Sequence, residues 1–255
     1  MTAYFVLSTG RCGTQWLTET LQQWDDNFVV VHEPLHFGYR PDLNTVQQPL
    51  LHNSDMLEQH LHQIRQHLHS GKHYIETGFP CWRHLHWFKQ QLDHTVKVIH
   101  IHRAPLDTVA SLLKLNAFVP SFWPHLTIKN LYLPGAEQDF LHQYQELWPQ
   151  LNPAEKNLWY WAEVQYQAIK YQQQWPAQDW LSLSFSQLFS AQGKQQLTHF
   201  LGYPNAVCWP VQDIVDQFGL GLVHTQTDYP VLSKLDELNQ LAKRLGYPAP
   251  FANSN

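Results

Sequence analysis

Cysteine, cationic charge and long apolar runs are all scarce in this chain of 255 residues. Its three cysteines, Cys12, Cys81 and Cys208, form neither an even set nor a CxxC pair, which argues against a disulfide framework and a zinc knuckle. Charged residues make up only 15%, and 16 Lys+Arg against 21 Asp+Glu leave a net charge of −5 with His neutral. That balance speaks against nucleic acid as a partner, because such a surface needs many cations to neutralise phosphates. It leaves room for one small anion held by a few placed groups. No apolar run approaches the roughly 20 residues that a membrane span needs. Tyr4–Leu7 already reads as a strand, so no basic-then-apolar leader is expected before it. The expectation is a soluble, cytoplasmic protein with no membrane partner.

Apolar and aromatic side chains, by contrast, are plentiful. Hydrophobic residues make up 44%, with 11 Trp, 11 Tyr and 13 Phe, enough to fill a sizeable core and to exclude a disordered chain. The length suits a single domain over residues 1–255. Short apolar segments, Tyr4–Leu7, Phe28–Val31, His73–Ile75, Val96–Ile101 and Trp180–Leu183, read as strands. Between them, Leu17, Leu21 and Trp24, then Leu57, Leu61, Ile64 and Leu68, then Leu85, Phe88 and Leu92 recur every three or four residues, which puts each set on one helical face. This alternation predicts an α/β fold of three layers, with a central, mostly parallel sheet of about five strands flanked by helices. Asn152-Pro153 predicts a helix start and Pro176 its stop; a last helix is bracketed by Ser233 as cap and Gly246 as terminator. Residues 115–134 hold three prolines with Phe118, Phe122 and Trp123 and no clear period, and read as a binding loop. The 17 His suggest a metal at first sight. His60/His62, His67/His69, His84/His86 and His100/His102 are spaced by two, however, not by the three or four that puts ligands on one helical face, and no metal is expected.

Two segments carry chemistry. Ser8-Thr9-Gly10-Arg11-Cys12-Gly13-Thr14-Gln15 follows the first strand and opens the first helix. The glycines permit a sharp turn and close backbone approach, while the helix start offers unpaired N–H groups and a positive dipole end, a ready cradle for phosphate or sulfate. Arg11 adds a full charge and Thr14 a hydroxyl. The loop is not a Walker A motif, which needs Lys after its last glycine, where Thr14 stands. In the second segment, a strand ending at His102 is followed by Arg103, Pro105 and a helix, with Ser111 eight residues beyond Arg103. Ligands of open α/β folds bind at that edge of the sheet.

The two segments in this order resemble the sulfotransferases that use 3′-phosphoadenosine 5′-phosphosulfate (PAPS). Arg11, Gly13 and Thr14 match the family's [K/R]-x-G-T loop, and Arg103, Pro105 and Ser111 its R-x-P…S pattern. Weaker similarity extends to Leu181–Leu188 and to Phe200–Pro204. The resemblance implies that residues 10–15, including Cys12 and Gln15, hold the 5′-phosphosulfate and that Arg103 and Ser111 hold the 3′-phosphate, with Phe185 packing near the adenine. PAPS would be the donor and 3′-phosphoadenosine 5′-phosphate (PAP) the product, with no metal and a small-molecule or carbohydrate acceptor.

Such a transfer needs a base for the acceptor's proton. Family members use either a His in a K-T-H segment or a Glu about twenty residues past the loop. Here Glu76-Thr77-Gly78 puts glycine in the place of that His, whereas Glu33 follows Arg11 by 22 residues in Val31-His32-Glu33-Pro34-Leu35-His36, which resembles the carbohydrate-type branch. Glu33 is therefore the first candidate for the base, His32 the second and His36 the third. Glu76 stands where relatives often place Lys, so Arg11 would carry more of the leaving-group charge. Two other readings stay open: a Mg²⁺-dependent phosphotransferase using the same loop, and a protein that binds 3′,5′-bisphosphate nucleotides without catalysis.

Overall fold

The structure is a computed structural model. It describes residues 1–35, 50–78, 82–119, 140, 142–203, 209 and 227–251. His36, Phe122, Trp123 and all of 120–134 lie outside the described residues.

Five parallel strands form the centre: β1 (Thr2–Leu7), β2 (Phe28–His32), β3 (His73–Thr77), β4 (Thr95–His102) and β5 (Trp180–Ser184), in the order β2-β3-β1-β4-β5. All five coincide with the segments expected from sequence. Eight α-helices are described: α1 (Thr14–Leu21), α2 (Leu50–His69), α3 (Leu85–Gln91), α4 (Pro105–Leu113), α5 (Pro153–Gln174), α6 (Phe185–Phe189), α7 (Ala191–Phe200) and α8 (Asp236–Arg244). None of the described helices is long and apolar enough to cross a membrane.

Strand side chains alternate between two apolar layers, as the period of two requires. Ala3, Phe5 and Leu7 of β1 face a large core with α2, α3, α4, α5 and α8, whereas Tyr4 and Val6 face a smaller one with α1, α6 and α7. Trp159, Tyr160 and Trp161 of α5 are buried in the larger core with Phe118. A helix against each face is what lets every strand run apolar on both sides.

The α5 start follows the sequence reading. Asn152 Oδ1 accepts from the Glu155 amide at 3.0 Å, and Glu155 Oε2 accepts from the Asn152 amide at 3.2 Å, closing a capping box with Pro153 at the first helical position. The start of α8 differs. Ser233 lies in a short 3₁₀ turn over Leu232–Lys234, and α8 begins at Asp236 with no side-chain cap. Asp236 and Glu237 sit in its first turn instead, where carboxylates meet the helix dipole. Gly246 does end α8: its amide donates to Lys243 O and that of Tyr247 to Ala242 O, both at 3.0 Å.

Candidate active site

In this strand order the chain leaves β1 toward β2 and leaves β4 toward β5, so the connections diverge between β1 and β4. Such a switch point opens a crevice at the C-terminal edge of the sheet. The two sequence motifs lie on either side of it.

On the β1 side, Gly10, Arg11 and Gly13 have φ of 73°, 58° and 79°. Consecutive left-handed residues turn the backbone into a concave nest of the kind that binds anions. Gly13 is the N-cap of α1, and no side chain caps that helix. A Cβ on Gly13 would stand 3.1 Å from the Phe189 ring and 3.2 Å from Leu188, so glycine also lets α6 pack against the loop. Cys12 is buried in the smaller core, with Sγ bonded to Gly10 O at 3.2 Å; its side chain faces away from the crevice. Thr14 is buried too, and Gln15 Nε2 reaches along the helix to Glu19 Oε1 at 3.3 Å. The Gly10 amide donates to Ser8 Oγ at 3.1 Å.

Across the crevice the two motifs touch. Arg11 Nε donates to Ser111 Oγ on α4 at 3.1 Å, and Arg103 Nη1 donates to Arg11 O at 3.2 Å. The Arg103 guanidinium lies over the Phe185 ring, 4.6 Å from its centroid, a cation–π contact that holds it flat. Arg11, Arg103, Ser111 and Phe185 thus form one half-buried group, although 174 residues separate the first from the last.

Two residues that no sequence motif points to set Arg103 in place. Trp161 Nε1 donates to Arg103 O at 3.0 Å, and the Tyr247 hydroxyl donates to His102 O at 3.1 Å and bonds His102 Nδ1 at 2.8 Å. No local pattern could reveal Tyr247, which arrives from the far end of the chain. Burial drives the His102 pKa down to about 4. Its neighbour His100, bonded to Gln165 at 2.8 Å and Ser182 at 2.9 Å, is pushed to about 3 by burial and by His102. Both rings are therefore neutral at physiological pH.

On the β2–β3 side lie the proton-transfer candidates. Glu33 follows β2 with φ of 45°, a conformation that non-glycine residues seldom adopt, and its side chain is 50% exposed. Its amide donates to Thr77 O at 2.9 Å. His32 Nε2 lies 3.9 Å from Glu33 Oε1, and its Nδ1 bonds Thr77 Oγ1 at 2.8 Å. Gly78, with φ of 68°, completes the group: a Cβ there would stand 2.5 Å from Glu33 Cγ and 3.1 Å from His32 Cε1. Beneath, on the opposite face of β3, fully buried Glu76 accepts from Tyr74 at 3.0 Å and pairs with His60 Nε2 at 2.8 Å. Glu76 is thus a buried core group, turned away from Thr77 and the crevice. Burial disfavours the charged form of His60, but Glu76 outweighs it and raises the pKa. Among the described residues, no group of three or more His, Cys, Asp or Glu could hold a metal ion.

This architecture is that of known sulfotransferase domains. The sulfotransferase domain of the Synechococcus PCC 7002 olefin synthase superposes with a TM-score of 0.60 at 13% identity, over 98% of this chain and 96% of that one. The sulfotransferase domain from the curacin biosynthetic pathway gives 0.58 at 14% identity, over 97% and 98%. At such identities the likeness is one of fold. No family model and no curated protein matches the sequence.

Proposed function

We propose that this chain is a cytoplasmic, PAPS-dependent sulfotransferase acting on the hydroxyl of a small-molecule or carbohydrate acceptor. The observation that carries the reading is the junction at the switch point. Arg11 and Arg103, each at a strand-to-helix turn, are tied together through Arg11 O, and Arg11 in turn donates to Ser111. Two guanidinium groups beside an uncapped helix start suit a compact ligand with two separate anionic groups. A 3′-phosphate on Arg103 and Ser111 and a 5′-phosphosulfate on the 10–15 loop would span that junction, with Phe185 beside the base.

In the proposed reaction the acceptor oxygen attacks sulfur and its proton passes to Glu33. The sulfur–oxygen bond to the 5′-phosphate breaks in line, releasing PAP. Arg11 and the loop amides meet the charge that develops on the leaving phosphate. Glu33 suits the role of base because its left-handed backbone holds a half-exposed carboxylate at the edge where β2 ends.

Thermal shift with PAP, ATP and AMP tests nucleotide choice. The expected result is stabilisation by PAP above the others, about 2.7 kcal/mol at a hundredfold excess over Kd. Sulfuryl transfer from PAPS to a panel of alcohols and sugars, with and without chelator, tests the reaction. Glu33→Gln should abolish turnover while PAP binding stays near wild type. Equal shifts with all three nucleotides would defeat the reading.

A further inference from the structure

The hydrogen bonds around Thr77 form a chain whose protons can be counted. Thr18 Oγ1 donates to Thr14 O at 2.8 Å, Thr18 Oγ1 and Thr77 Oγ1 are 2.5 Å apart, and Thr77 Oγ1 meets His32 Nδ1 at 2.8 Å. Each hydroxyl has one hydrogen to give. If Thr18 gives its hydrogen to Thr14 O, Thr77 must give its own to Thr18. Thr77 then has none for His32, so the third contact exists only when His32 Nδ1 carries a hydrogen. Any other ordering gives up one of these three contacts, for instance in favour of the longer one from Thr77 Oγ1 to Val31 O at 3.3 Å.

The tautomer follows. With Nδ1 protonated, a neutral His32 has a bare lone pair on Nε2, the atom 3.9 Å from Glu33 Oε1. At that separation one acceptor atom can lie within hydrogen-bond reach of both. Thr77 governs Glu33 as well, because its carbonyl takes the Glu33 amide at 2.9 Å. Through Thr18 and Thr14 the same chain runs into the first turn of α1, the helix that opens at the anion loop.

We propose that Thr77 is the positioning residue of the acceptor-deprotonating pair: its hydroxyl orients His32 with Nε2 bare toward Glu33, its carbonyl anchors Glu33, and Thr18 ties both to the anion loop. This rests on the sulfuryl-transfer reading above. Thr77 is fully buried and acts through His32 and Glu33.

The test has a readout that needs no turnover. Nitrogen-15 NMR of the neutral His32 ring, assigned by loss of its signals in His32→Asn, should show a protonated Nδ1 and a bare Nε2 in the wild type. Thr77→Val keeps the β-branched shape and the carbonyl but removes the hydroxyl. It should shift the ring toward a mixture of tautomers and lower kcat roughly tenfold to a hundredfold, as for other hydrogen bonds that orient a functional histidine. PAP affinity should change by less than about threefold, which separates orientation from donor binding. Thr77→Ser should restore most of both readouts. If Thr77→Val does not fold, Thr18→Ala, which frees the Thr77 hydrogen to point either way, should give mixed tautomers. A wild-type ring protonated on Nε2, or full kcat in Thr77→Val, overturns the proposal. Absence of sulfuryl transfer in the wild type would defeat the reaction reading, while the NMR result would still decide the Thr77–His32 link.

Discussion

Glu33 and Gly78 compete for one place at the ends of β2 and β3. A Cβ at position 78 falls 2.5 Å from Glu33 Cγ, closer than real Cβ contacts come, and φ of 68° strains any side chain there. We expect Gly78→Ala to displace the Glu33 side chain and to lower kcat while sparing PAP binding. The backbone strain should cost about 1–3 kcal/mol in denaturant unfolding. Activity and stability both at wild-type level would contradict the close approach. From sequence, Gly78 signals only that a histidine is missing. The structure adds that the Glu33 side chain crowds the place of a Cβ at 78, a fact available only once β2 and β3 lie side by side.

Glu76 poses a different problem at the same scale. It is fully buried, with His60 and Tyr74 on one carboxylate oxygen. Removing one partner of a buried ion pair leaves an uncompensated charge, which typically costs 3–5 kcal/mol. His60→Ala should therefore destabilise by about that much, whereas His62→Ala on the same helix should change stability by less than about 0.5 kcal/mol. Chemical denaturation of both variants checks the contrast.

Among the elements, α5 shows how one residue can join distant segments. Glu155 accepts the Asn152 amide through Oε2, and through Oε1 it accepts the amides of Val231 at 2.6 Å and Leu232 at 2.9 Å. The helix start was legible in Asn152-Pro153, because a cap and the proline after it are adjacent in sequence. The second task of Glu155, holding the segment before α8, was not, since its partners lie 76 and 77 residues away. Asn152→Ala removes the cap and one exposed bond from Nδ2 to Asp228 O, and should cost about 1 kcal/mol. Glu155→Ala leaves one buried and two half-buried amides unpaired and should cost more, on the order of 3 kcal/mol. Equal losses for the two variants would show that the long-range bonds add nothing. The same principle explains the misplaced start of α8: Ser233 is a good cap by type, but its residues follow the 3₁₀ turn anchored on Glu155.

For the whole molecule, the buried histidines set how stability depends on pH. His100 and His102 have folded pKa values of about 3 and about 4, below the ordinary 6.5. The unfolded chain therefore binds more protons than the folded one below pH 6.5, and stability falls as pH drops from there toward 4. His60 acts in the opposite sense. Its pKa is raised beside Glu76, so its contribution is complete below 6.5 and is lost as pH rises through the raised value. Unfolding free energy should peak close to neutrality and fall by a few kcal/mol toward pH 4. His102→Asn should flatten the acid limb, as denaturation curves across pH would show.

Local chemistry alone determined the strand positions, the helical faces, the two turn-bound arginines and the left-handed glycine at the start of α1. These depend on residues a few positions apart, and periodicity and turn chemistry report on that range. Tertiary structure decided which of those local features meet. It brought Arg103 onto the Arg11 carbonyl and Phe185 under Arg103. It set Tyr247 and Trp161 against the end of β4, and joined Thr18, Thr77 and His32 in one chain. The physical reason is the strand order. Because all five strands run parallel, with β3 between β2 and β1 and with β4 and β5 on the other side, their C-terminal ends converge on one edge. No spacing along the chain encodes that convergence, which follows from burying both faces of the sheet at once.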